Sequence, residues 1–191
     1  MLFGSSLTGC GIEINDAKKA FNQGMDDYKK HNLNSAIADF TEAIRLKPDF
    51  AEAYNNRGAA YRSKGDLDKA LADYNEAIRL KPDVAKAYNN RGAVYRSKGD
   101  LDKALADYDE AIRLNPDYAS ACNNRGVAYW SKGDPDKALA DFNEAIRLNP
   151  EFAEAYNNRG NSYKKKGESS KAEADFAIAK KLGFSPKLKT N

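Results

Sequence analysis

The residue types that most often carry out catalysis or bind metals are scarce in this chain. Its 191 residues include one histidine, His31, and two cysteines, Cys10 and Cys122. The cysteines follow no metal-ligand spacing, and Cys122 falls at a position that the pattern predicts to be buried, which argues against a disulfide between them. No glycine-rich phosphate loop follows a predicted strand. The sequence therefore predicts a protein that is not an enzyme, with no catalytic residue, metal site or cofactor.

Asparagine is the polar residue with the most regular spacing. It recurs every 34 residues, at Asn22, Asn56, Asn90, Asn124 and Asn158. A side-chain amide carries a donor and an acceptor side by side, so such a row can hold the peptide groups of an extended ligand. Two other roles are open, a hydrogen bond to the local backbone and one to the neighbouring unit. A second asparagine precedes the first in four units: Asn55, Asn89, Asn123 and Asn157.

These asparagines belong to a repeat that fills most of the chain. Five units of 34 residues follow one another without gaps: 17–50, 51–84, 85–118, 119–152 and 153–186. The second and third units differ at five positions. An N-terminal segment, 1–16, and a basic tail, 187–191, flank the array. Because one such unit cannot bury its apolar face alone, neighbouring units must stack.

Each unit contains two helical patterns, helix A and helix B, separated by a turn. In the second unit Tyr54 and Tyr61 share one face of helix A. Gly65 ends that helix as a left-handed cap would, and Asp66 is a suitable N-cap for helix B. The first unit has His31 in place of the glycine. Histidine tolerates left-handed backbone better than most residues, so we expect the same turn there.

Two pairings are predicted inside each hairpin. Gly58 is expected to face Ala70 where helices A and B approach most closely. Arg57 is expected to pair with Asp73 on the facing turn of helix B, with the arginine stem packed as a hydrophobe. The same positions hold Arg91 and Asp107, Arg125 and Asp141, and Arg159 and Asp175. We interpret these as structural ion pairs.

The pattern resembles the tetratricopeptide repeat. In the second unit the matching residues are Tyr54, Gly58, Tyr61, Ala70, Tyr74, Ala77 and Pro82. The resemblance implies an all-α fold, a right-handed α-solenoid of five helix-turn-helix hairpins. It also implies that the helices A line a concave groove that commonly binds peptides or partner proteins. A ladder of asparagines on that face is known in the family. The lysine and asparagine positions of the clamp that holds chaperone carboxylates match poorly, and we predict no such clamp.

Selectivity is expected where the near-identical units differ. The groove positions after the asparagines are Met25, Ala59, Ala93, Val127 and Asn161, and then Tyr28, Arg62, Arg96, Trp130 and Lys164. Trp130 stands where the second and third units have arginine, so packing does not demand it. Tryptophan and arginine are common binding hot spots. Phe21 and Met25 are further candidate anchors in the first unit. We therefore predict a binding scaffold for a protein or an extended peptide.

Net charge of +3 and interspersed charges give little support for nucleic-acid binding, which we do not expect. In the last unit Glu173 and Lys180 replace leucine and isoleucine, as expected of a terminal cap that ends the array by design.

Residues Leu7–Cys10 resemble the lipobox of bacterial lipoproteins, although the basic start and apolar core of a full signal are lacking. Localisation is accordingly cytoplasmic or, with a lipid on Cys10 as the sole membrane link, the bacterial cell envelope. The alternative to a binding scaffold is a structural array that self-associates end to end.

Overall fold

The computed structural model describes residues 7–185, with side chains from residue 15 onward. Within residues 7–185 the chain forms ten α-helices and no strand. The helices are α1 Leu7–Lys29, α2 Leu33–Leu46, α3 Ala51–Lys64, α4 Leu67–Leu80, α5 Ala85–Ser97, α6 Leu101–Leu114, α7 Ala119–Lys132, α8 Pro135–Leu148, α9 Ala153–Lys165 and α10 Ser169–Lys181. The predicted all-α fold of successive hairpins is confirmed. None of these helices is long and apolar enough to cross a membrane.

The chain divides into two compact parts, which we call the N-terminal half, residues 1–94, and the C-terminal half, residues 95–191. In the first, α1 packs on α2, α2 on α3 and α3 on α4. In the second, the same order holds from α6 to α10, with each helix packed on the next. Stacking of neighbouring hairpins is therefore present within each half, as the repeat requires.

The turns inside the hairpins have the predicted left-handed backbone. Gly65 has φ 86°, and His31 adopts φ 63° at the matching position of the first hairpin. Asp66 is the residue before α4, as predicted for its N-cap, although its side chain accepts no backbone N–H of the first turn and is contacted there by Lys69 Nζ. The histidine thus reproduces the glycine turn at the cost of a conformation that glycine adopts more easily.

Two later helices B have full side-chain caps. The carboxylate of Asp100 accepts a hydrogen bond from the backbone N–H of Lys103 at 3.2 Å, and that of Asp134 accepts one from Lys137 at 3.1 Å. Pro135 opens α8, where its missing N–H costs nothing. These contacts explain why the helices begin where the sequence predicts.

Helix α1 begins at Leu7, ten residues before the predicted start of the first repeat at position 17. The Leu7–Cys10 tetrapeptide lies in the first turns of this helix. The Cys10 side chain lies outside the described residues, as does the basic tail 187–191. At the other end, Glu173 and Lys180 are exposed on α10, whereas Leu139 at the position matching Glu173 is half-buried.

The ring of Tyr74, rather than Ala70, supplies the atoms nearest to Gly58. A Cβ at Gly58 would lie 3.0 Å from the ring of Tyr74, and one at Gly126 would lie 2.7 Å from the ring of Phe142. Each glycine therefore lies under an aromatic ring one helical turn beyond the alanine. Ala70 is fully buried in a cluster with Tyr74. The glycine is required because a ring, rather than a methyl group, covers it.

Candidate functional site

The arginine on helix A is bound to an aspartate inside its own hairpin. Arg57 donates from Nε and Nη2 to the two carboxylate oxygens of Asp73, at 2.9 and 2.8 Å. The same bidentate contact joins Arg125 to Asp141 and Arg159 to Asp175. The predicted pairing is confirmed for these hairpins, and that of Arg91 with Asp107 stays a prediction. The aspartates are buried, so the arginines neutralise charges that would otherwise be costly.

The third guanidinium nitrogen ties each hairpin to the one before it. Arg57 Nη1 donates to Thr41 Oγ1 at 3.0 Å, and Arg125 Nη1 donates to Asp109 at 2.7 Å. Sequence reasoning missed this contact. The signal for it is a polar residue sixteen positions before every such arginine. These arginines are consequently engaged in the framework and are not free to bind a ligand.

Two of the groove asparagines are linked to the preceding hairpin. In the N-terminal half, Asn90 Nδ2 donates to Asn55 Oδ1 at 3.1 Å, and in the C-terminal half Asn158 Nδ2 donates to Asn123 Oδ1 at 3.0 Å. The acceptor Asn123 is 1% exposed. The amide row is thus partly a set of links between hairpins, one of the roles that the sequence left open.

Phe21 interrupts this row in the first hairpin. It stands at the position of Asn55, and its ring packs against Phe40 and Phe50 with centroids 5.7 and 4.9 Å apart. Because Phe21 offers no amide, Asn56 Nδ2 instead donates to the backbone carbonyl of Glu52 in its own helix, at 2.7 Å. Phe21 is therefore held in an aromatic cluster between helices.

The remaining predicted groove residues show a range of exposure. Asn22 is exposed on α1, and Asn89 is buried on α5 with 6% of its surface exposed. The half-buried members are Met25, Arg62, Arg96, Asn124 and Trp130. Exposure alone therefore leaves most of these positions open to a ligand, with the buried second asparagines as the exceptions.

A concave site of about 470 Å³ lies on the helix A face of the C-terminal half. Its walls come from α7 and α9, and a ring of α8 forms part of its floor. It is lined by Val127, Trp130, Phe142, Asn158, Asn161, Lys164 and Lys165. We call it the Trp130 groove. Five of the expected groove positions, those of Val127, Trp130, Asn158, Asn161 and Lys164, thus come together.

Models of the tetratricopeptide repeat family match successive stretches of the chain. They cover residues 24–62, 58–96, 92–133, 119–152 and 142–174. Together these matches span more than half of the sequence. The chain belongs to the tetratricopeptide repeat family. Membership supports a protein-interaction scaffold, since members of this family are typically non-catalytic.

Solved structures of other tetratricopeptide repeat proteins share this fold. The MamA protein is 25% identical, with a TM-score of 0.71 over 87% of this chain and 91% of MamA. A thermophilic TPR protein of Thermus thermophilus is 24% identical, with a TM-score of 0.76 over 87% of this chain and 91% of that protein. YrrB, described as a TPR protein with an unusual peptide-binding site, is 24% identical, with a TM-score of 0.66 over 94% of each chain. No curated protein sequence matches the chain.

Most residues of the Trp130 groove differ from those at the matching positions of the second and third repeats. Those two tetratricopeptide repeats hold alanine at the positions of Val127 and Asn161, arginine at that of Trp130, and tyrosine at that of Phe142. Lys165 replaces a serine, which is the signal that sequence reasoning missed. Because near-identical repeats fold without these residues, the fold does not require them.

Cys122 lies outside this groove and is shielded from reagents. It stands where the second, third and fifth repeats have tyrosine, and it is 2% exposed, as predicted. Burial raises the pKa of its thiol to about 11. The thiol is therefore protonated near neutral pH, a state in which cysteine is a poor nucleophile.

Proposed function

We propose that this protein is a scaffold that holds an extended segment of a partner protein in the Trp130 groove. The observation that carries the proposal is the groove itself, an open site of about 470 Å³ lined by two aromatic rings, two asparagines and two lysines. Its volume lies in the range of sites that enclose a ligand, roughly 300–1,000 Å³, and here it suits a few side chains of a peptide. YrrB, of similar fold, is described as having a peptide-binding site.

Trp130 is the principal contact in this proposal. Its side chain is half-buried and lies on the groove wall beside Val127. Aromatic side chains contribute large contact areas at small entropic cost, which is why tryptophan dominates many interfaces. A ligand side chain that packs against Trp130 and Val127 would bury apolar surface on both partners.

The asparagines divide into two roles. Asn158 lines the groove while its Nδ2 is held by Asn123, which fixes the orientation of the amide. Asn55, Asn89 and Asn123 are buried, and Asn55 and Asn123 accept hydrogen bonds from Asn90 and Asn158. An amide held in one rotamer loses less entropy when a peptide group binds to it.

The test is selection of peptides from a random displayed library on the purified chain, followed by affinity measurements on a variant. Trp130→Arg restores the residue of the second and third repeats, so the helix should fold normally by circular dichroism. We expect the dissociation constant of selected peptides to rise roughly tenfold or more. Arg147→Ala, an exposed change on α8 outside the groove, is the control. Unchanged affinity of the Trp130→Arg variant would refute this site.

A further inference from the structure

The Trp130 groove carries an excess of positive charge. Its lining contains Lys164 and Lys165 and no carboxylate. Among the side chains described in residues 95–185, neither lysine forms an ion pair, although the next residue, Lys166, pairs with Asp136 at 2.7 Å. Lys132 on α7 is likewise paired, with Asp102 at 2.5 Å. The two groove lysines therefore keep their charges available to a partner.

These lysines also lie in the last turn of α9, where positive charge offsets the helix dipole. Two basic residues also lie in the last turn of α3, Arg62 and Lys64, so this role accounts for the number of charges on α9. The second, third and fourth repeats have serine at the position of Lys165 and the first has Lys29, so a hairpin tolerates a neutral residue there.

Lys165 also covers the ring of Trp130. Its Nζ lies 4.5 Å from the ring centroid, a cation–π contact. A ligand that packs on this face of Trp130 must displace the ammonium group. Displacement is least costly when the ligand supplies a carboxylate that accepts the ammonium beside the ring. Lys165 thereby links the apolar and the charged halves of the groove.

We infer that the ligand of the Trp130 groove is an acidic peptide segment in which an aromatic or branched apolar side chain is flanked by aspartate or glutamate. This inference rests on the proposed function and adds the chemistry of the partner. The apolar side chain packs on Trp130 and Val127. The flanking carboxylates pair with Lys164 and Lys165, and the asparagines hold the backbone between them.

The experiment compares three capped peptides of equal length, each labelled for fluorescence anisotropy. The first has a phenylalanine flanked on both sides by three acidic residues, the second replaces the acids with glutamine and asparagine, and the third replaces phenylalanine with serine. We expect the acidic phenylalanine peptide to bind roughly fivefold to tenfold more tightly than either other peptide at low salt. High salt should reduce its advantage over the neutral peptide.

Matched variants assign the effect to the groove. In Lys164→Ser with Lys165→Ser, the preference for the acidic over the neutral peptide should fall to within about twofold. Lys137→Ser removes a positive charge from the outer surface, where the lysine pairs with Asp134, and should leave the preference intact. The emission of Trp130, the sole tryptophan, should also change on binding of the acidic peptide.

Each other outcome overturns a defined part. Equal binding of acidic and neutral peptides, both lost in Trp130→Arg, refutes the acidic ligand and leaves the groove function in place. Preference for the acidic peptide that survives loss of both lysines also refutes the inference. If library selection yields no peptide that depends on Trp130, the proposed function itself fails. Tighter binding of a thymidine oligonucleotide than of the acidic peptide would assign the groove to nucleic acid.

Discussion

Replacement of Arg125 by alanine tests whether the arginine network holds the hairpins together. Arg125 donates two hydrogen bonds to Asp141 and one to Asp109 of the preceding hairpin. Asp141 is 5% exposed. Without the arginine, this carboxylate remains buried in a low-dielectric environment with no opposite charge.

The expected cost follows from that burial. Removing one partner of a buried ion pair destabilises a protein by roughly 3–5 kcal/mol. Since 25% of the Arg125 side chain is exposed, solvent screens part of the interaction, and we expect about 2–4 kcal/mol. A second replacement, Asp141→Ala, should recover much of the loss because it removes the buried charge itself.

The loss should depend on pH in a defined direction. Burial raises the pKa of Asp141 above its ordinary value even though Arg125 lowers it, and the charge of Asp109 adds to the rise. Without Arg125 this pKa rises further. A folded-state pKa above the unfolded one means that stability falls as pH rises through the folded pKa. The variant should therefore lie closer to the native protein near pH 4 than at pH 7.

Urea denaturation provides the measurement. Helix content by circular dichroism follows the whole chain, and the emission of Trp130 follows α7, the helix that carries Arg125. The control is Arg147→Ala, whose exposed pair with Glu144 should contribute little. A loss at pH 7 no larger than that of the control, or an equal loss at pH 4, would show that the buried pair does not support the fold.

Two further predictions concern packing and thiol reactivity. Gly126→Ala should destabilise the C-terminal half in urea. Overpacking against Phe142 costs roughly 1–3 kcal/mol, which outweighs the gain of about 1 kcal/mol in helix propensity. A Phe142→Leu background should relieve the loss. In a Cys10→Ser background, Cys122 should react with a thiol reagent at the rate of unfolding, and fast reaction in native buffer at pH 8 would contradict its burial and raised pKa.

The fold was largely predictable because one pattern is repeated five times. A residue that looks ambiguous in one repeat is clarified by its counterparts, as when Gly65 shows what His31 must do. The arginine–aspartate pairs could also be predicted, since a buried acid opposite a buried base has few alternatives. The closest neighbour of Gly58, the ring of Tyr74, was not predicted, because spacing along a helix does not reveal where a large side chain of the facing helix comes to lie.

The binding site could be predicted in part. Trp130 was found by comparing repeats, because a bulky residue that packing does not require is a candidate for contact with a ligand. Lys165 was not predicted, because it does not occupy one of the helix A positions that were expected to face the groove. Phe21 was expected in the groove, but its ring lies in a cluster with Phe40, since the same helical position faces the neighbouring helix.

The sequence by itself determined the hairpins, their turns and the family, because apolar periodicity and left-handed turn residues act locally and recur at a fixed interval. The tertiary structure decided which partners the polar side chains take. Asn158 could hold a ligand, its own backbone or the previous hairpin, and the position of Asn123 decides that its Nδ2 binds the previous hairpin. The meeting of Trp130 and Lys165 likewise depends on how α7 and α9 stack, because residues one repeat apart come together through packing between hairpins rather than through the chain.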